Sequence, residues 1–545
     1  MPASDKNDDA PPMPVLNSNS GAVLSPPSAY PKRKRRLRRW LVVLGVVVVL
    51  FLALTVFVYH RTTAKIHIGP HTTFVTGPLR PDGTVNYVAA FNLLSSKGVT
   101  AGNNAAIPLI RIFGASKHVL GEHWRSVLRA MGYTPGRGGS PHYTSLARYL
   151  KARPSVEKAM RARPVSREVF LSGRMVFHIW SARAFPFFAA YLHNQRAVLA
   201  ACRKAAEKPR FFIPLAGPGI LTGSGLEWMA FVLTASRELL AQAMLDVSRG
   251  KFNAVVPDLR AAQRLAQMIG QRPGLMPWLT ANSVMFDVYR AQCTLATDPR
   301  IRLPRKLFVR ILAHHFHRKL PALSWEINYP ERFGILDMLT GIYRSARGEN
   351  TPFVPQPLGT GGPAKLLPAL VNWNWVLRST NRMFNAEAKG LKVTPLARRF
   401  TAGRALRRKE NRRFTNSFFS FFQPSVLFRN VICRIIASPY RRATFNHYCM
   451  LQQRQYVRVA AALALDHMNT GVFPDTLTHL VPKYLNHAPR DVFTGGPLTY
   501  HRTKAGYTIT CHWQVTQMNL GKREAAGLGI IYPEKPPRPL NKFGR

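Results

Sequence analysis

The sequence predicts a mainly α-helical protein with one N-terminal transmembrane helix, a large helical-hairpin body and a small C-terminal β-hairpin cap. Three observations carry this expectation. An uncharged apolar run occupies 41–59, apolar residues recur every three or four positions through the middle of the chain, and two strand-like segments flank Lys504-Ala505-Gly506.

The run at 41–59 reads LVVLGVVVVLFLALTVFVY, 19 residues without a charge. At about 1.5 Å per residue it covers roughly the 30 Å hydrocarbon core. In lipid a valine-rich segment must be helical, because every backbone amide needs an internal partner. Trp40 and Tyr59 stand where interfacial aromatics belong. Seven of the eight residues at 32–39 are cationic, whereas only Arg61 and Lys65 follow closely. The N-terminus is therefore expected in the cytoplasm and the body outside, at the cell inner membrane. The run is longer than the apolar core of a cleaved signal and no small-residue cleavage site follows, which favours an uncleaved anchor. Residues 1–40 read as a disordered tail ending in this polybasic stop.

Thr, Gly, Pro and His at 60–86 suggest an extended stalk. Helical pattern begins at Tyr87 and fills a body from 87 to 350. Its clearest pair is 226–249 and 253–269. Leu226, Met229, Leu233, Leu240, Met244 and Val247 give one apolar face, Val255, Leu259, Ala262, Leu265 and Ile269 the other, with a break at Gly250-Lys251-Phe252. A third helix at 277–296 is placed to stack on this hairpin. A Pro/Gly linker at 351–365 leads to a second helical region, 366–470. Within it, the apolar stretch 418–436 carries Gln423, Pro424, Arg429, Asn430 and Arg434, which argues for a core segment and against a second span. The segment 471–520 closes the fold. Gly471 stops the long helix, Leu477, Leu480 and Val481 make one apolar turn, Asp491 caps a turn, and Leu498–Tyr500 pairs with Tyr507–Thr510. Residues 521–545 read as a basic tail.

Lys and Arg total 77 against 25 Asp and Glu, a formal charge of +52. The first 40 residues hold only 8 of these cations and 3 of the acids, so the excess belongs to the body. A body so poor in carboxylates cannot pair its cations internally and should attract anionic lipid or polymer. Nucleic acid is not expected as the partner. The five cysteines (Cys202, Cys293, Cys433, Cys449 and Cys511) are far apart and form no CxxC pair, so neither a disulfide framework nor a zinc site is implied.

Chemistry-bearing motifs are few. HExxH, GxSxG, phosphate-loop and dinucleotide fingerprints are all missing from the sequence, so no cofactor is expected. Gly217–Gly225 is glycine-rich but lacks the Lys-Ser/Thr that holds phosphate. His314 and His317 share a helical face in a cationic neighbourhood that repels metal ions. The candidate catalytic residues are Glu326, Glu331 and Asp337, three scarce acids in twelve positions, suited to acid–base work if they converge. Capping and ion pairing in a cation-rich bundle are the stronger explanation, with Glu331 in the first turn of a helix beginning near Pro330. Trp373 and Trp375, with the arginines of 397–413, are candidates to stack on and pair with a polyanion.

The closing segment has the form Gly471-Val472-Phe473-Pro474…Leu477…Leu480-Val481-Pro482-Lys483-Tyr484-Leu485, then Pro489-Arg490-Asp491-Val492-Phe493-Thr494-Gly495-Gly496-Pro497-Leu498-Thr499-Tyr500. It resembles the C-terminus of an uncharacterised family of bacterial single-pass membrane-anchored proteins and, more distantly, the segment that closes the major pseudopilins. Gly83–Asn92, Asn103–Ala106, the 239–270 pair and Asn372-Trp373-Asn374 resemble the same family. The family likeness implies no known activity. The chain departs from pseudopilins in placing its apolar run at residue 41, behind a basic block and without a glutamate. In some pseudopilins this loop holds calcium, which makes Asp491 the one candidate metal ligand, although calcium wants six to eight oxygens. The expected function is a non-enzymatic scaffold or binding protein of the bacterial envelope. The alternatives are a membrane-anchored hydrolase using Glu326, Glu331 or Asp337, and a binder of anionic polymer or lipid.

Overall fold

A computed structural model describes residues 32–134, 142–161, 173–216, 226–298, 320–349, 370–393, 424–504, 506–512 and 529–532, with scattered positions at 301–309 and 398–409. The loop at Gly217–Gly225, the histidines at 314–317 and the linker at 351–365 lie outside the described residues, as do most of the 397–413 arginines.

The chain divides into two units, Met1–His60 and Arg61–Arg545. The first is described as a helix, α1 (Lys32–Thr63). Its apolar side chains stand bare: Trp40, Leu44, Val49 and Phe51 are each more than half exposed. Among the described residues, no helix is long and apolar enough to cross a membrane.

The second unit is mainly helical, as expected. Among the described residues eight α-helices precede its central pair: α2 (Tyr87–Ser96), α3 (Ala106–Phe113), α4 (Lys117–Leu120), α5 (Trp124–Ala130), α6 (Leu146–Lys151), α7 (Pro154–Arg161), α8 (Pro186–Asn194) and α9 (Arg196–Ala206) lead into the hairpin α10 (Trp228–Ser248) and α11 (Phe252–Gln271). The break falls where glycine allows it, at Gly250 with φ 69°. The predicted faces close on each other, and Leu240, Met244, Val255, Leu259, Ala262 and Leu265 are all fully or almost fully buried. The third helix, α12 (Leu275–Thr297), stacks on them through Ala281, Val284 and Val288.

After α12 come α13 (Leu323–Glu326), a π-helical turn (Ile327–Glu331), α14 (Arg332–Ala346), α15 (Trp373–Gly390) and α16 (Pro424–Thr470). At 47 residues α16 is about 70 Å long. It therefore serves two cores. Tyr456, Val459, Ala460 and Leu463 pack into the first with α10–α12, and Ile432, Tyr440 and Ala443 into the second with α12–α15. Val426 and Ile432 are buried, in keeping with a core role for the 418–436 stretch. Residues 87–350 and 366–470 thus share their packing within one unit.

The expected stalk is folded onto the body. Ile66, Thr72, Thr73 and Val85 are buried. Asn374 of α15 accepts from His67 N at 2.7 Å and donates to the Lys65 carbonyl at 2.9 Å. Asn381 donates to the Thr72 carbonyl, and Tyr87 Oη to that of Thr73. Side-chain amides on α15 thereby satisfy a segment that has little regular structure of its own.

The C-terminal cap is a three-stranded antiparallel sheet, one strand more than expected. β1 (Thr499–Thr503) pairs with β2 (Gly506–Thr510), and β3 (Gly529–Tyr532), inside the stretch read as a basic tail, adds to the far edge of β2. Gly471, at φ 77°, ends α16, and Leu477 and Leu480 fold back in a short 3₁₀ turn.

Candidate functional site

The three candidate acids are not one cluster. Pro330 has no N–H to give a helical hydrogen bond, and the chain widens around it into the π turn. Five residues along an α-helix is about 500°, which would set Glu326 and Glu331 on different faces. The wider turn brings both to the start of α12. Glu326 Oε2 accepts from Gly274 N at 2.8 Å and Glu331 Oε1 from Leu275 N at 2.7 Å. Glu331 therefore caps a neighbouring helix, not the one it begins. The α12 dipole favours negative charge here, but burial opposes it. Burial holds the Glu326 carboxyl well above the usual range, with the Glu331 charge adding to the effect, and burial also raises Glu331. Glu326 Oε1 is buried without a hydrogen bond among the described residues.

Asp337 turns elsewhere. It pairs with Arg80 at 3.2 Å, and one helical stretch on, Arg344 pairs with Asp82 at 2.5 Å and Glu349 at 2.7 Å. These bridges pin residues 79–85 to α14. Asp491 closes a turn: Oδ1 accepts from Phe493 N at 2.8 Å, and Oδ2 from Thr494 Oγ1 at 3.0 Å and His512 N at 2.8 Å. Its oxygens are committed to protein donors, and among the described residues no group of three or more acidic, His or Cys side chains is arranged to hold a metal. Trp373 is 5% exposed and sits in the second core against Tyr343 and Phe428, so it offers no outer face for stacking. Arg399 is also engaged, over the Tyr448 ring and bonded to the Val393 carbonyl.

A buried acid cluster that sequence reasoning missed lies in the first core. Glu238 of α10 is 4% exposed. Tyr143 donates to its Oε1 at 3.0 Å, and Tyr191 Oη lies 2.6 Å from the same oxygen. Tyr191 Oη also lies 3.1 Å from the Thr144 carbonyl. One hydroxyl proton cannot serve two acceptors. The shorter contact takes it, so Tyr191 donates to Glu238, and the Thr144 carbonyl keeps the Gln195 side-chain amide as its donor. Burial pushes Glu238 up to about 7, against the two tyrosine hydrogen bonds. Cys202, in the same core, is pushed up to about 12 by burial and is inert as a nucleophile. The available signal was Glu238 itself, an acid three residues from Ala235 and Ala241, both of which are buried.

These local facts add up to a charge partition. Among the described residues ten carboxylate residues are buried: Glu238, Asp246, Asp258, Asp287, Asp298, Glu326, Asp337, Glu387, Asp466 and Asp491. Three cationic ones among the described residues are, Arg272, Arg332 and Arg429. Among the described residues the acids are turned inward far more often than the cations.

No family model, curated protein or solved structure matches this chain.

Proposed function

We propose that this chain is a non-enzymatic, membrane-tethered binding protein of a bacterial envelope, whose body holds an anionic polymer or lipid surface by charge. The carrying observation is the partition, among the described residues, of ten buried carboxylate residues against three buried cations. Those acids are spent on helix caps, tyrosine hydroxyls and ion pairs, so fewer are left at the surface to offset the cation excess behind the formal +52. The tether reading rests on 41–59, whose described apolar side chains in α1 are exposed, and on the cationic flank before it. The candidate acids support a binding role over a hydrolytic one, because Glu326 and Glu331 serve as caps and Asp337 as an ion-pair partner.

The test is fractionation followed by retention. The full-length chain should stay with membranes through an alkaline wash, and after detergent extraction it should be retained on immobilised heparin. Recovery in the soluble fraction would end the tether reading. Passage through the column unretained would end the binding one.

A further inference from the structure

Where α16 stops, the turn after Gly471 and the facing ends of β1 and β2 border a solvent-open cavity of about 420 Å³. That is within the range of about 300–1,000 Å³ common for small-ligand sites. Its walls are held in place by contacts of their own. Tyr500 Oη donates to the Pro474 carbonyl at 2.8 Å, Arg502 pairs with Asp475 at 2.6 Å, and Phe473 packs edge-on to Tyr507 at 5.0 Å.

The two sides differ in chemistry. One is apolar and flat: Val472 beside Phe473, whose ring stacks on His467 at 4.3 Å and 22°. The other carries Arg502, Thr503 and Lys504. Asp475 is the one acid in the lining, and it is matched by Arg502. The C-terminal end of α16 adds about half a negative charge. Lys504 outweighs that, leaving a net positive rim beside an apolar wall.

We propose that this cavity binds a phosphoryl group carried on an apolar body, its oxygens held by Arg502 and Lys504 and its apolar part lying on Val472 and the Phe473–His467 pair. This goes beyond the diffuse charge reading, because it is one discrete site with its own stoichiometry. The phosphoryl group has two sources, a soluble phosphomonoester or an acidic lipid headgroup.

Calorimetric titration of the detergent-solubilised full-length chain with phenyl phosphate tests it. The expected result is saturable one-to-one binding with a dissociation constant of about 1 mM or below. Inorganic phosphate should bind more weakly and phenol not at all. Lys504→Gln and Arg502→Gln should each weaken binding about tenfold or more, and Asp475→Asn, which releases Arg502, should tighten it. Lys504 and Asp475 are exposed, so those two variants decide the matter even if Arg502→Gln fails to fold. Absence of saturation, or wild-type affinity in Lys504→Gln, would overturn the proposal. Vesicles of phosphatidylcholine with and without phosphatidylglycerol separate the sources. Displacement of phenyl phosphate only by the acidic vesicles assigns the headgroup, and no displacement assigns the soluble ester. Heparin retention depends on many cations and should survive Lys504→Gln, so failure here leaves the charge reading standing.

Discussion

Tyr191 Oη donates to Glu238 Oε1 at 2.6 Å inside the first core, and Tyr143 Oη donates to the same oxygen at 3.0 Å. Burial opposes the charge that these donors favour and wins, so Glu238 still holds its proton about half the time near pH 7. Its folded value, about 7, is above the ordinary 4.5. The folded state thus keeps a proton that the unfolded chain releases. The stabilisation is full below pH 4.5 and is lost as pH rises to about 7, a span worth at most about 3 kcal/mol. Denaturant melts from pH 5 to pH 8 should show falling stability, and Glu238→Gln, which keeps an acceptor without a titration, should flatten that fall. An unchanged pH slope in the variant would show that the group is ionised throughout.

The Glu326 carboxyl caps α12, and burial holds it well above the usual carboxylate range. Glu326→Gln keeps the shape and an acceptor, and should change stability by less than about 1 kcal/mol. Glu326→Ala leaves Gly274 N without its acceptor and opens space, and should cost about 2 kcal/mol. Chemical denaturation midpoints decide, and equal losses in both variants would mean that the charge matters more than the cap.

Arg332 is buried among amides and an aromatic ring: it donates to Asn328 Oδ1 and Asn385 Oδ1 at 2.7 Å each and lies 4.1 Å over the Phe74 ring. Burial lowers its value to about 10, so it remains charged at neutral pH. A lysine has one compact charge where the guanidinium has a planar fork, and it cannot serve both asparagines while stacking. Arg332→Lys should therefore lower stability by about 2 kcal/mol. A melt equal to wild type would contradict this account of how residues 66–85 are fixed to α14 and α15.

Much of this was legible in the sequence, for identifiable reasons. The α10–α11 hairpin shows its buried faces directly, because Leu240, Met244, Leu259 and Leu265 repeat with the helix. Gly471 and Asp491 announce their turns through local chemistry. The stalk reading failed because residues 66–85 are buried through side-chain amides of α15, more than 300 positions away, and not through an apolar pattern of their own. The role of Glu326 and Glu331 depends on α12 arriving 52 and 56 residues upstream, and on Pro330 widening the turn between them. β3 needs the open edge of β2, which four residues reading GIIY do not reveal.

The central claim is that the inward turn of the acids leaves an exterior that binds anions by charge. The most direct measurement is the affinity of the detergent-solubilised full-length chain for heparin oligosaccharide across a sodium chloride series. The account predicts a linear fall of log affinity against log salt with a slope steeper than about −3, as several counterions are released together. A slope near zero would contradict it.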